Sequence, residues 1–337
     1  MGYQTIYIKP DWRQFVIDQL PSIIFAVVVV TFINTFFFQA FKIPSSSMES
    51  SLYTGDHLFV SKLSYGPKMP QTPLTIPFTH NIIGGKESYS TLIQSDYKRL
   101  KGFGEVEEGD YVVFGFPHGD TVFVREPAAD YYTIIRMYGR DYAHKLYGDV
   151  KVRPSDKKDH YVKRCVAVAG DTLEIRDGQV YVNSVAQTVW PGVQNTYTVV
   201  TDGKPLSVSD FEEYGLSFTY LNTYDARRSM YPALPLTAEM LEKIKENPHV
   251  IADAVEMNIE EYYPDLALVV FPFSSDSLYR WTRDNFGPLW VPAKGETVEL
   301  NLDNLPLYRR IITVYEKNTN GFFLCILQKE EINIDGR

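Results

Sequence analysis

"HYVKRCVAVAGDTLEIRDGQVYVN", residues 160–183, is the stretch whose reading decides the fold. Its period is two. Tyr161, Lys163, Cys165 and Ala167 share one face, and Val162, Arg164, Val166 and Val168 share the other, as successive side chains of a strand do. Asp177-Gly178 is the tightest hairpin signal in the chain. It predicts a turn joining strands at Thr172–Arg176 and Gln179–Asn183.

Outward from this hairpin the chain stays β-like. His57–Leu63 ("HLFVSKL") reads as a strand, and "EEGDYVVFGFPHGD", residues 107–120, places another between two turn signals. The 24 tyrosines and 20 phenylalanines also suit pleated, half-buried surfaces. Residues 128–147 carry Tyr132, Ile135, Tyr138, Tyr142 and Leu146 near helical spacing, interrupted by Gly139. From 185 to 295 the composition shifts to Tyr, Pro and acidic residues. One helix is clear there, Thr237–Asn247, with Thr237 as N-cap and Pro248 beyond its end. Strands are predicted again at 296–302, 309–316 and 321–328.

Ahead of all this lies "LPSIIFAVVVVTFINTFFFQAF", residues 20–41, without a charge. As a helix it would run about 33 Å, against a hydrocarbon core of about 30 Å. It exceeds the apolar run of a cleavable signal, roughly 7–15 residues, and bulky Phe38 stands two residues before Ala40, the best cleavage point. The segment therefore reads as a retained membrane anchor. Lys9, Arg13, Asp11 and Asp18 before it and Lys42 after it leave orientation undecided by charge. The predicted class is mainly β: an N-terminal transmembrane helix, then an antiparallel β-sheet domain with an inserted mixed α+β subdomain. The boundaries are 1–19 for the tail, 20–41 for the anchor, 42–184 for the core, 185–295 for the insertion and 296–337 for return strands of the core.

Composition excludes several classes. A net charge of −9 argues against nucleic-acid binding, which needs basic patches. Cys165 and Cys325 are far apart and fit no zinc or CxxC spacing, so they read as two buried free thiols, with a disulfide between them as the alternative. The six histidines form no HExxH pair, and no P-loop or GxGxxG occurs. No metal and no cofactor are expected.

Two features remain unexplained by folding alone. "FKIPSSSMESSLYTGDHLFV" starts at Phe41 and puts three serines, Ser45–Ser47, between Pro44 and Met48. Lys163 shares its strand face with Tyr161, Cys165 and Ala167, an unusual place for an ammonium group. On alternation alone, a strand-edge lysine with its head in water accounts for it. The other reading is a desolvated lysine, whose neutral amine can serve as a base and so activate a serine hydroxyl, a weak nucleophile by itself.

These segments resemble type I signal peptidase, the leader peptidase family, of bacteria. The match comprises Pro44-Ser45-Ser46-Ser47-Met48, Gly55-Asp56, Lys62-Leu63-Ser64-Tyr65-Gly66, Gly109-Asp110-Tyr111-Val112-Val113-Phe114, Tyr161-Val162-Lys163-Arg164 and Gly170-Asp171, in the family's order behind an anchor. Ser46 stands where Gly is frequent, and Ser50 where Pro is usual.

The resemblance implies that Ser47 is the nucleophile and Lys163 its general base, with the Ser45 hydroxyl and the Ser47 N–H stabilising the oxyanion. Such donors are worth roughly 3 kcal/mol each. Met48, Tyr161 and Val162 would line pockets for the small residues before the scissile bond. The implied substrates are exported preproteins with Ala-x-Ala-type signal peptides. The implied surroundings are membrane lipid and the secretion machinery, in a single-pass protein of the bacterial inner membrane with its catalytic domain outside. Ser47 follows Phe41 by six residues, a reach of no more than roughly 20 Å at about 3.3 Å per residue, which suits a membrane-anchored substrate.

One departure stands out. The family's further segment, Gly-Asp-Asn-Arg…Ser-x-Asp-Ser-Arg, which helps orient the lysine, is not found. Arg283-Asp284-Asn285 echoes it without the preceding Gly and reads as part of the insertion. The expectation is a chain truncated before that segment, or one that holds its lysine differently. The rival to a peptidase is an inactive homologue that binds exported chains without cutting them.

Overall fold

The computed structural model describes residues 12–79 and 81–310. These fall into two compact units. The predicted strand at 309–316 beyond Arg310, the predicted strand at 321–328, and Cys325 lie outside the described residues.

The first unit contains residues up to Lys42, His57–Glu105 and Arg153–Asp159. Its helix α1 (Trp12–Phe36) includes Val16–Phe36, long and apolar enough to cross a membrane, with none of its most apolar stretch buried. Within it the Thr35 hydroxyl donates to the Thr31 carbonyl at 2.7 Å, which satisfies a polar group in an apolar helix. The helix stops at Phe36, short of the predicted Phe41. The reason lies in the next residues: β1 (Phe38–Lys42) pairs antiparallel with β2 (His57–Ser61). Half-buried and exposed positions alternate along both strands, the pattern that aromatic and β-branched residues favour.

The rest of this unit is largely loop with one short hairpin, β3 (Ile82–Ile83) and β4 (Lys86–Glu87). Gly84 and Gly85 turn it, both at positive φ, the backbone a two-residue primed turn requires. Polar contacts hold the loops. One oxygen of Asp156, Oδ2, accepts from Gln71 N (3.1 Å), Thr72 N (3.0 Å) and Thr72 Oγ1 (2.8 Å).

The second unit contains Ile43–Asp56, Val106–Val152 and the chain from His160. Its first elements are β5 (Tyr111–Gly115), β6 (Thr121–Phe123), α2 (Tyr131–Tyr138), α3 (Arg140–Tyr147), β7 (Val150–Val152) and β8 (His160–Arg164). The helix predicted over 128–147 is present as α2 and α3, broken at Gly139 with φ 81°. Asp130 caps α2. Burial works to raise its carboxyl, but hydrogen bonds from His118 and Thr133 outweigh that and hold its pKa at about 2.

The 160–183 stretch folds as its alternation predicts. β8 pairs with β5, and β9 (Thr172–Arg176) pairs with β10 (Gln179–Val182) across the Asp177-Gly178 turn. β11 (Val185–Ala186) adds to the β10 side. The region from 195 to 257 then builds a separate α+β layer from β12 (Asn195–Thr201), α4 (Val208–Tyr214), β13 (Met230–Leu236), α5 (Ala238–Lys245) and β14 (Val250–Met257). The strands form an antiparallel sheet in the order β13-β12-β14. Helix α4 opens with a reciprocal capping box between Ser207 and Asp210, and α5 has the expected Thr237 cap, so local sequence fixes both starts.

The last strand, β15 (Phe286–Trp290), returns to pair with β9, completing the order β11-β10-β9-β15. The predicted strand at 296–302 has no regular secondary structure and runs into a turn at Leu302. The predicted strand from Arg309 begins instead inside helix α6 (Leu305–Arg310). Asn301 and Asn304 exchange side-chain-to-backbone hydrogen bonds at 2.9 Å. Pro306 follows in the first helical turn, where a missing N–H costs nothing.

Candidate active site

The serine segment is a closed loop. The Ile43 N–H donates to the Asp56 carbonyl, and the Gly55 N–H donates to the Ile43 carbonyl, both at 2.9 Å. Ile43 is buried, so an apolar anchor and two backbone bonds tie the loop's ends together. Inside it, Glu49 N donates to Ser46 O at 2.9 Å and Leu52 N to Met48 O at 2.7 Å. Successive backbone turns thus shape Ser46 to Leu52. Ser45, Ser46 and Ser47 are all exposed.

Opposite this loop runs β8, in register with β5: Lys163 faces Val112, and Arg164 faces Tyr111. Lys163 Nζ and Ser47 Oγ are joined by a hydrogen bond across 116 positions of sequence. Ser45 Oγ stands 3.5 Å from Ser47 Oγ. Burial pushes the pKa of Lys163 below its ordinary value. Among the described residues no carboxylate forms an ion pair with it, so nothing offsets the desolvation that favours the neutral amine.

Alternation sends the next side chain the other way. The Arg164 guanidinium lies over the rings of Tyr111 (4.6 Å) and Trp190 (5.2 Å). It donates to the Tyr111 hydroxyl at 2.6 Å and, at 3.5 Å, to Ser51 Oγ and the Pro191 carbonyl. One strand therefore presents an amine to Ser47 and, from its other face, a guanidinium that ties the serine loop to residues 190–191.

A family model described as signal peptidase, peptidase S26, matches residues 16–215, more than half of the chain. The chain belongs to this signal peptidase family. Similar curated proteins are all signal peptidase I. One from Helicobacter pylori (strain ATCC 700392 / 26695) is 29% identical over 148 residues, 44% of this chain and 34% of that protein. One from Haemophilus influenzae is 43% identical over 67 residues, 20% of this chain and 18% of that protein. One from Bacillus amyloliquefaciens is 20% identical over 229 residues, 66% of this chain and 83% of that protein. The chain thus spans about a third of the Helicobacter relative's length, 34%. No solved structure matches it.

Of the residues singled out in this signal peptidase family member, the structure brings Ser45, Ser47 and Lys163 together. Tyr161 lies two positions back along β8, on the Lys163 face, stacked on Phe116 at 4.6 Å. Val162 is half-buried opposite Val113. Met48 is half-buried beside Ser47, and both border a cavity of about 600 Å³.

Three residues of the site were not anticipated. Gly192 (φ 83°) approaches the serine loop so closely that a Cβ there would stand 2.6 Å from Ser51 Oγ. Gln194 donates to Ser50 Oγ at 2.9 Å. The Trp190 ring packs on Gly109, where a Cβ would meet it at 2.7 Å. Trp190-Pro191-Gly192 is a visible turn signal, but nothing in it names the serine loop as its neighbour. The Arg283-Asp284-Asn285 triplet closes the β9–β10 turn: Gly178 N donates to Asp284 O at 2.8 Å, and Asp177 N to Asn285 Oδ1 at 3.0 Å.

Proposed function

We propose that the chain is a membrane-anchored serine endopeptidase that uses a Ser47–Lys163 dyad to remove signal peptides from exported preproteins. The observation that carries this reading is the hydrogen bond between Ser47 Oγ and a lysine whose charged form is disfavoured by burial. Family membership and the signal peptidase I relatives support the substrate class. The apolar helix Val16–Phe36 supports a single-pass anchor. The proposed setting is the bacterial inner membrane, with the catalytic domain on the outer side, beside lipid and the secretion machinery.

In the proposed mechanism the neutral Lys163 amine takes the Ser47 proton as Oγ attacks the carbonyl carbon of the scissile bond. The carbonyl oxygen becomes an oxyanion, which the Ser47 N–H and the Ser45 hydroxyl stabilise. Donors aimed at developing charge act most strongly in the transition state. The intermediate collapses, the C–N bond breaks, and Lys163 gives its proton to the departing amine of the mature chain. That leaves an ester on Ser47. Water then attacks the ester, Lys163 takes the water's proton, and the signal peptide leaves as a carboxylic acid while Ser47 regains its hydrogen. Met48, Tyr161 and Val162 border the positions before the bond and select small side chains there.

The test is cleavage of a preprotein with an Ala-x-Ala signal end. Ser47→Ala and Lys163→Met should each lose at least about 10³-fold in rate, as removal of a nucleophile or its base does elsewhere. The active form is the neutral amine, so kcat/KM should fall as pH drops through the Lys163 pKa. Desolvation puts that midpoint below the ordinary lysine value of about 10.4. If the wild-type chain binds the preprotein but cuts it no faster than Ser47→Ala, the binding-only reading replaces this one.

A further inference from the structure

The strand face that carries Lys163 also carries a row of rings. Across the β5–β8 pair, Lys163 faces Val112 and Tyr161 faces Phe114. Residues directly opposite in an antiparallel pair share one face of the sheet. Phe116, two residues past Phe114, returns to that face by the period of two. Its ring stacks on that of Tyr161, with centroids 4.6 Å apart and planes at 13°. A path over this face therefore leads from the Ser47–Lys163 pair to Tyr161 and Phe116 without changing sides.

Phe116 is itself held. Its ring meets that of His118 at 5.7 Å, and His118 packs against Tyr132 at 5.5 Å and Phe273 at 5.4 Å. His118 Nδ1 is hydrogen-bonded with Asp130 Oδ2 at 2.9 Å. The same oxygen accepts from Thr133 Oγ1 at 2.7 Å, and Asp130 Oδ1 accepts from Tyr132 N at 3.1 Å. The Arg136 guanidinium covers the Phe273 ring at 3.9 Å. The contacts thus run from the start of α2, where the His118 side chain is 12% exposed, to Tyr161, which is 43% exposed. One end is anchored and the other is open to a substrate.

An exposed tyrosine on a strand ordinarily has more than one staggered χ1 well open to it. A ring free to change wells swings aside for a large neighbour. A ring stacked on a second, anchored ring keeps its offset geometry and acts as a wall. We infer that Phe116 is a positioning residue for substrate selection: it fixes the Tyr161 ring, and the fixed ring limits the size of the third side chain before the scissile bond. The inference rests on the peptidase reading and deepens it by naming what sets one of its size limits. The position follows from spacing. Tyr161 lies two residues from Lys163, about 7 Å at about 3.3 Å per residue, which is also the span of two residues of an extended substrate. With Lys163 level with the last residue before the bond, Tyr161 is level with the third.

The experiment compares two peptides whose signals end in Ala-x-Ala or Phe-x-Ala, with the full chain in detergent. The wild type should favour the first in kcat/KM by at least roughly tenfold, the lower range for discrimination by one pocket. Phe116→Leu keeps an apolar side chain but loses the ring, and should shrink that ratio toward one. Phe116→Tyr keeps the ring and should keep the ratio. His118→Leu, one contact further back, should shrink it less, and it decides the matter if Phe116→Leu does not fold. Both peptides are cut by the same preparation, so the ratio does not depend on how much of a variant is folded. A merely structural role lowers both rates together and leaves the ratio in place. A wild-type ratio near one, a ratio unmoved by Phe116→Leu, or one lost equally in Phe116→Tyr overturns the inference. Fluorescence anisotropy of both peptides on Ser47→Ala, with and without Phe116→Leu, separates the two readings. If the wild type cuts neither peptide but Phe116→Leu erases a binding preference for Ala-x-Ala, the peptidase reading fails and the role of Phe116 stands. If neither is cut and the binding preference is absent or unmoved, both fall.

Discussion

Two regions of the second unit are built on opposite principles. In the α+β layer, Val199, Phe211, Tyr231, Leu234 and Ile244 are entirely buried, at 0% exposure, around a three-stranded sheet. Around Ser47 the three serines are exposed, and the loop is fixed by backbone hydrogen bonds, one buried isoleucine, the close approach of Gly192 and side-chain bonds from Arg164 and Gln194. The first region draws its stability from apolar burial, at roughly 25 cal/mol per Å². The second leaves polar groups at the surface, where a substrate can reach them, and is held by neighbours far away in sequence. Rigidity at the proposed reactive centre and burial in a core are therefore supplied by different residues, which makes them separable by mutation.

The sharpest separation should come from Phe211→Ala. Removing a fully buried ring costs about 3–5 kcal/mol, read as a lowered denaturant midpoint, while the folded fraction should still cut at close to the wild-type rate. Ser45→Ala should behave in the opposite way. Its expected cost is about 10²–10³-fold in kcat, the scale of one oxyanion donor, with the unfolding midpoint unchanged. Gly192→Ala should blur the boundary. A methyl group at φ 83° and 2.6 Å from Ser51 Oγ strains the backbone by about 1–3 kcal/mol and pushes on the serine loop. Both the thermal midpoint and the cleavage rate should drop together. If the rate holds while stability falls, the 190–194 segment only supports the fold and does not position Ser47.

What could be read in the sequence follows the same divide. Strict alternation and an Asp-Gly turn fixed β8, β9 and β10, because these are local signals. The Ser45–Ser47 and Lys163 pair was legible through its resemblance to a known family, not through periodicity, which by itself allowed a solvated strand-edge lysine. β15 was hidden by its own composition: Gly287 and Pro288 break its register against β9, and such residues ordinarily demote a strand. Trp190, Gly192 and Gln194 were not legible either. Their role arises from chain segments meeting in space, and no single window of sequence contains that meeting. The predicted strand at 296–302 failed for a related reason, since alternation makes a strand only when a neighbour offers an edge.

The 116-residue separation between Ser47 and Lys163 also sets a schedule. On the proposed reading, a ribosome that has released the serine loop has made only an ordinary hydroxyl. Its partner amine emerges much later, and the Gly192 and Gln194 contacts that steady the loop emerge later still. Proteolytic competence then appears only when the β8 region and the 190–194 segment have closed on the loop. A half-made chain, which exposes its own extended segments, is thereby unable to cut itself.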